Sequence, residues 1–185
     1  MQFDVADSFV KTIEGETTLL VPQLSLTAKV PPKNPAFFNP AAKLNRDFSI
    51  LAYKAIAPSL PDNTFADSFT GVGARALRVA VEVPTIERVY GNDINSVAIE
   101  AAKEAAKLNS VANKCHFSIN EICKFLLRGD NENERFGIVD LDPFGTPAKH
   151  IDCILRAVLD EGLVSITATD TAVLCGVYPE VCARR

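Results

Sequence analysis

From Asn63 onward the apolar positions follow two alternating rhythms. Short apolar runs alternate with longer stretches in which alanine, leucine and valine recur every three or four residues. The first rhythm predicts buried strands and the second amphipathic helices. Strands are expected at 64–69, 88–94, 115–119, 136–142 and 163–169. Helices are expected at 74–83, closed by Pro84, then at 96–109, 121–128 and 147–160. The second helix has a polar stripe at Glu100, Lys103, Glu104 and Lys107. The last carries an apolar stripe at Ile151, Ile154, Leu155 and Val158. Residues 129–134 read as a polar surface loop, and a further helix begins near Thr171. Strand and helix in strict alternation predict an α/β fold, a mostly parallel sheet with helices on both faces. No sixth or seventh strand follows in the pattern, so either the sheet is truncated after its fifth strand, as in a fragment of a longer protein, or another chain is expected to complete it.

Before Asn63 the pattern is less regular. Thr17-Thr18-Leu19-Leu20-Val21-Pro22 predicts a short strand after the turn Glu14-Gly15-Glu16. Pro31-Pro32-Lys33-Asn34-Pro35 must be extended. A helix follows from about Lys43, with Leu44, Phe48, Leu51 and Ala55 on one stripe and Arg46 off it. Residues 1–62 are taken as an N-terminal arm and first helix belonging to the same domain as the core at 63–185.

Composition narrows the class. With 185 residues, 48% hydrophobic and 23% charged, the chain suits one globular domain with a substantial core. The net charge of −4 lends no support to nucleic-acid binding, although a local basic patch can serve that purpose. The five cysteines, Cys115, Cys123, Cys153, Cys175 and Cys182, are never spaced as C-x-x-C. They are expected to be reduced thiols, without a disulfide framework and without a metal site. No apolar run reaches the ~18 residues of a membrane span. The opening Met1-Gln2-Phe3-Asp4 lacks the basic and apolar regions of a signal peptide, and a cytoplasmic location (or a nuclear or organellar one) is expected.

Candidate chemistry gathers at the predicted strand ends. Asp67, Gly71 and Gly73 follow the first core strand and open a helix, whose N-terminus offers free N–H donors. Asp93, at the end of the second strand, is placed to bind two ribose hydroxyls. Gly71-x-Gly73-x-x-Ala76 with an acid about 20 residues on also satisfies the dinucleotide fingerprint. The pattern therefore points to a nucleotide-like ligand and leaves NAD and S-adenosylmethionine both open. Glu121, after the third strand, can accept from an adenine amine or simply cap a helix. The fourth strand ends in Asp142-Pro143-Phe144-Gly145. An acid, a rigid turn and a flat ring suit a planar base whose exocyclic amine donates to the acid. A dehydrogenase would need a proton relay, and His116 within a strand and His150 in the first turn of a helix are poor candidates for one.

The acid-Pro-aromatic turn resembles the Asp/Asn-Pro-Pro-Tyr/Phe motif of amino-group methyltransferases, with one proline fewer. Five segments, in order, extend the likeness: Phe37-Phe38-Asn39-Pro40 with Asn45-Arg46-Asp47; Asp67 through Gly71-Val72-Gly73-Ala74-Arg75-Ala76-Leu77-Arg78; Asn92-Asp93-Ile94-Asn95; Asp140-Leu141-Asp142-Pro143-Phe144-Gly145-Thr146-Pro147; and Thr167-Ala168-Thr169-Asp170-Thr171-Ala172-x-Leu174-Cys175-Gly176. The series resembles the tRNA guanine-26 N2-dimethyltransferase family over about residues 14–185. The resemblance implies a Rossmann-like methyltransferase core that uses S-adenosylmethionine to methylate the N2 amine of a tRNA guanosine. It implies cofactor contacts at Arg46, Asp67, Gly71, Gly73, Arg75, Asp93, Glu121 and Ile122, and a guanine pocket of Phe37, Asp142, Pro143 and Phe144. Glu121 and Ile122 depart from the family's usual Asp and Ala. The resemblance also implies a C-terminal tRNA-gripping domain, which is expected to fall outside these 185 residues. Two rival readings are an NAD-binding oxidoreductase and a non-catalytic fragment that folds with a partner.

Overall fold

The computed structural model of the protein describes residues 8–127 and 135–184. The expected loop at 129–134, Arg128, the extreme N-terminus and Arg185 lie outside them. Chain order is β1 (Phe9–Glu14), β2 (Thr17–Pro22), α1 (Gln23–Thr27), α2 (Lys43–Ile56), β3 (Thr64–Asp67), α3 (Ala74–Glu82), β4 (Arg88–Asn92), α4 (Ser96–Leu108), β5 (Cys115–Ser118), α5 (Ile122–Leu126), β6 (Phe136–Leu141), α6 (Ile151–Ala157), β7 (Val158–Ile166), α7 (Thr171–Leu174) and α8 (Pro179–Cys182).

Strands β3 to β7 form one sheet in the order β5-β4-β3-β6-β7, with every adjacent pair parallel. Side chains of a strand alternate between faces, and here they sort into two cores. Phe65, Val89 and Ile138 join one with residues of β2, α2, α3 and α4. Their neighbours Ala66, Tyr90 and Val139 join the other with α5 and α6. Both faces are thus covered, as the continuous apolar runs require. The connections from β3 run to opposite sides of the sheet, through β4 one way and β6 the other. That reversal opens a crevice beyond the carboxyl ends of β3, β4 and β6, where ligands bind in open α/β sheets.

The N-terminal segment is more ordered than its pattern predicts. Phe9–Glu14, part of the expected N-terminal arm, forms a strand antiparallel to β2. The hairpin packs on α3 and α4 through Leu19 and Val21, both fully buried. Glu14, the last residue of β1, is buried between two arginines: Arg46 Nε and Nη2 reach its carboxylate at 2.6 and 2.7 Å, and Arg78 Nη1 at 3.2 Å. Arg78 also binds Asp47 at 2.6 Å and Glu82 at 2.8 Å. This network turns α2 away from its expected face. Leu44, Phe48 and Leu51 are 65%, 66% and 62% exposed, whereas Arg46, Ile50 and Tyr53 are buried. A fully paired arginine satisfies burial that the apolar periodicity assigned to leucine.

Two further expectations are corrected. The helix placed at 147–160 is a 3-10 turn at Ala148–His150 followed by α6, which ends at Ala157, because the chain is extended from Val158. There β7 pairs Val158 with Phe136, loops out through Glu161 at φ 61°, and resumes pairing at Leu163 opposite Ile138. The cysteines are not all reduced thiols: Cys123 of α5 and Cys153 of α6 are joined in a disulfide, 30 residues apart in sequence.

Candidate active site

The segment between β3 and α3 is held by backbone hydrogen bonds that reach across the sheet. Ser68 N donates to the Asp140 carbonyl (3.0 Å) and Thr70 N to the Asn92 carbonyl (2.8 Å), while within the segment Gly73 N donates to the Thr70 carbonyl (2.8 Å). Both glycines are left-handed, Gly71 at φ 52° and Gly73 at φ 80°, which favours glycine at each. A Cβ at Gly71 would face only the Phe37 carbonyl oxygen at 3.6 Å, so the loop is open on that side. At Gly73 a Cβ would meet Ala102 Cβ at 2.9 Å, so this glycine serves helix packing.

Asp93 follows β4. Its Oδ2 accepts from Gly71 N and its Oδ1 from Asn95 N, both at 2.9 Å. Each oxygen keeps a second lone pair for a ligand hydroxyl. Asn95 caps α4, and its Nδ2 donates to the Pro35 carbonyl at 2.8 Å, drawing the segment with Phe37 and Phe38 over the cleft.

The turn after β6 is clamped to the end of β7. Gly145 N donates to Thr169 Oγ1 (2.9 Å) and Thr169 N to the Gly145 carbonyl (3.0 Å). Pro143 is buried and Phe144 is 65% exposed. The Phe144 ring meets Phe37 edge to face at 4.8 Å, and Lys33 Nζ stands 5.0 Å above it. Two aromatic edges and a carboxylate thus border one opening.

Beneath this opening lies a buried charge cluster. Arg75 donates to Asp140 Oδ1 at 2.6 Å and to Asn45 Oδ1 at 2.7 Å, and pairs with Asp142 Oδ2 at 3.0 Å. Tyr53 donates its hydroxyl proton to the other Asp140 oxygen. Burial works against the charge of Arg75, but Asp140, Asp67 and Asp142 outweigh it and keep the guanidinium protonated. Asp67 accepts from Thr70 Oγ1 at 3.0 Å. Burial, seconded by Asp140, pushes its carboxyl up to about 7, against the pull of Arg75. Asp142 is raised in the same way, chiefly by burial, with Arg75 opposing.

One cavity of about 560 Å³ joins these parts. Of the residues singled out in the sequence, Phe37, Arg46, Asp67, Gly71, Arg75, Asp93, Asp142, Pro143 and Phe144 lie on its wall. Gly73 is behind the loop. Glu121 and Ile122 are not on that wall: Glu121 is exposed and caps α5 by accepting from Lys124 N at 3.0 Å, and Ile122 is buried in the core. Arg46 reaches the cavity, but its guanidinium is taken up by Glu14. Asn45, Lys33, Asp140 and Tyr53 were not singled out as site residues. Asn45 and Asp140 were visible within quoted motifs; Tyr53 carried no local signal, because its partner is 87 residues away.

The cavity suits a nucleoside-sized ligand. Carboxylates at Asp67 and Asp93 accept from amines and hydroxyls, the Gly71 backbone is open to close approach, and the rings of Phe37 and Phe144 offer faces or edges to planar groups. At 38% identity the chain is similar to a tRNA (guanine(26)-N(2))-dimethyltransferase of Methanothermobacter thermautotrophicus, over 93% of this chain and 43% of the relative. It is equally similar, with the same coverage, to a tRNA (guanine(26)-N(2)/guanine(27)-N(2))-dimethyltransferase of Aquifex aeolicus. Among solved structures, Trm1 of Pyrococcus horikoshii in complex with S-adenosyl-L-methionine superposes with a TM-score of 0.76 at 27% identity, covering 95% of this chain and 47% of that one. The chain therefore spans less than half the length of these relatives. The sequence pattern defining one family matches residues 15–185, and the chain belongs to that family, the N2,N2-dimethylguanosine tRNA methyltransferases.

Proposed function

We propose that the chain is the methyltransferase part of an enzyme that methylates the exocyclic N2 amine of guanosine 26 in tRNA, once or twice. The donor in this reading is S-adenosylmethionine, as in the complex of the Pyrococcus horikoshii relative. The observation that carries the reading is the opening of the Asp142-Pro143-Phe144 turn onto the same cavity as Asp93 and the glycine loop. When bound, the cofactor supplies an electrophilic methyl group on sulfonium.

Everything else is the work of this chain's residues. The N2 amine is a weak nucleophile because its lone pair is delocalised into the ring. Asp142, accepting an N–H of that amine, draws the lone pair out of conjugation and orients it. Its raised affinity for protons suits it to take the proton that the amine sheds as the new N–C bond forms. Phe144 and Phe37 hold the base plane, and positioning of this kind supplies much of a transfer rate. Asp93 holds the ribose of the cofactor, while Asp67 and the Gly71 backbone border its amino-acid end. The segment carrying Phe37 works as one unit with the core in this reading, since Phe37 lies on the same cavity wall as Asp93 and Asp142. The part of the relatives beyond this chain's span is the natural carrier of tRNA-gripping contacts, consistent with the chain's net charge of −4.

Calorimetric titration with S-adenosylmethionine, S-adenosylhomocysteine and NAD tests the cofactor. Binding of the first two, lost in Asp93→Ala, is expected; binding of NAD alone overturns the reading. In a full-length enzyme Asp142→Ala is expected to keep cofactor affinity and lose methyl transfer. Equal loss of both would remove Asp142 from the guanine pocket.

A further inference from the structure

Behind Phe69, one of the residues lining the cavity, α5 and the turn leading into α6 bring together three ligands that transition metals favour. Cys123, His150 and Cys153 place their two sulfurs and one ring nitrogen within 4.8 Å of one another. His150 and Cys153 are three residues apart on one helical turn, which puts them on the same face. Cys123 comes from the facing helix. His150 and Cys153 are buried, and Cys123 is half-buried at the open side. The spacing gave no hint of this, since 26 residues separate Cys123 from His150; the packing of α5 on α6 creates the group.

A disulfide uses only part of this arrangement. It needs two sulfurs, and it leaves unexplained an imidazole held against both of them, its ring braced by Phe69 at a centroid distance of 5.5 Å. Four-coordinate zinc needs ligand atoms about 3.4–3.8 Å apart, for Zn–S near 2.3 Å and Zn–N near 2.0–2.1 Å. The ring nitrogen lies within 4.8 Å of both sulfurs, and the sulfurs, bonded to each other in the disulfide, would part to that separation once reduced, on helices fixed by Phe125, Leu126, Ile154 and Ala157 of a common core. Two thiolates and a neutral imidazole select zinc and its soft, tetrahedral relatives over magnesium or calcium.

We propose that, once the disulfide is reduced, Cys123, His150 and Cys153 form a zinc-class metal site with its fourth position open to solvent. A dithiol or phosphine reductant delivers two electrons, and two protons complete the thiols. Metal binding then forms two S–metal bonds and one N–metal bond and releases the two thiol protons to water. The site braces the helix that follows the Asp142 turn against α5, and it is independent of the methyl-transfer reading.

The test is a cobalt(II) titration of the reduced chain in a Cys175→Ser, Cys182→Ser background, which removes the two exposed thiols. Expected are a thiolate-to-cobalt charge-transfer band and tetrahedral ligand-field bands saturating at one equivalent and displaced by zinc. Cys123→Ser or Cys153→Ser should abolish the charge-transfer band's two-sulfur intensity, and His150→Ala should weaken binding at least tenfold. Should a variant fail to fold, X-ray absorption of zinc bound to the unmutated reduced chain decides instead. Two sulfurs near 2.3 Å with a nitrogen near 2.0–2.1 Å support the site. No charge-transfer band, a titration unchanged by His150→Ala, or an all-oxygen and nitrogen shell overturns it.

Discussion

Arg75 binds Asp142 at 3.0 Å with one nitrogen and Asp140 at 2.6 Å with another, so the proposed guanine-binding acid is aimed by a cation fixed from beneath. Arg75 is thereby a positioning residue as well as part of the cavity wall. Replacing it with Met strands the buried carboxylate of Asp140 and its neighbour Asp142 without their cation. A loss of about 3–5 kcal/mol in unfolding free energy is expected, the usual cost of breaking a buried pair. The acid limb of the kcat profile of a full-length enzyme should also move to higher pH, because Asp142 loses the charge that opposes its protonation. Arg75→Lys, which keeps the charge, should restore most of that limb but not the simultaneous grip on Asp140 and Asp142. An acid limb unmoved in Arg75→Met would detach Arg75 from Asp142's titration.

Asp67 makes stability depend on pH. Its carboxyl titrates at about 7 in the fold and near 3.8 when unfolded. Between these values the folded state holds a proton that the unfolded state has lost, so stability falls as pH rises across that window. The slope from this one group is at most about 1.4 kcal/mol per pH unit. Denaturant titrations at pH 5, 6, 7 and 8 should show the decline, and Asp67→Asn should flatten it and be the more stable form at pH 8. A decline of equal slope in both proteins would assign the effect to other groups.

How legible these features were depended on how local their causes are. The five core strands, the glycine loop and the Asp142 turn are each set by a few neighbouring residues, and all were expected near where they stand. The α2 face was misread because Arg46 is buried by Glu14, 32 residues earlier, on a strand whose own pattern was too weak to register. Tyr53 was invisible as a site-support residue for the same reason. The Cys123–Cys153 contact needed α5 and α6 to be packed before it could be seen. Glu121 shows the reverse case: its local signal as a helix cap was sound, and that is the part the structure displays.

The two loop glycines should respond differently to the same substitution. Gly73→Ala combines a left-handed backbone with a Cβ at 2.9 Å from Ala102 Cβ and 3.1 Å from Leu77 Cδ1. Gly71→Ala has the left-handed backbone alone, with only the Phe37 carbonyl oxygen in range at 3.6 Å. Backbone strain costs about 1–2 kcal/mol in either case. Overpacking of α3 against α4 adds a further ~1–3 kcal/mol at Gly73. Unfolding measurements should rank Gly73→Ala well below Gly71→Ala, whereas ligand binding should suffer at Gly71, whose backbone faces the cavity. Equal destabilisation would mean that the α3–α4 contact relaxes without cost.

Phe144 separates function from stability more cleanly than any other residue of the turn. It is 65% exposed and touches Phe37 only edge to face, so little apolar area depends on it in the free protein. Phe144→Ala should change unfolding free energy by no more than about 0.5 kcal/mol. In a full-length enzyme the same change would remove the ring proposed to orient the base, and misplacement of a reacting group costs on the order of 10²-fold in rate. The loss should fall on kcat more than on the KM for tRNA, because most of the tRNA's binding contacts lie elsewhere in this reading. Phe144→Tyr keeps the ring and should recover most of the rate. If Phe144→Ala instead unfolds the chain, the ring is part of the core and the turn is a structural corner. If the variant folds and transfers methyl groups at the parental rate, the base is held by something other than this turn.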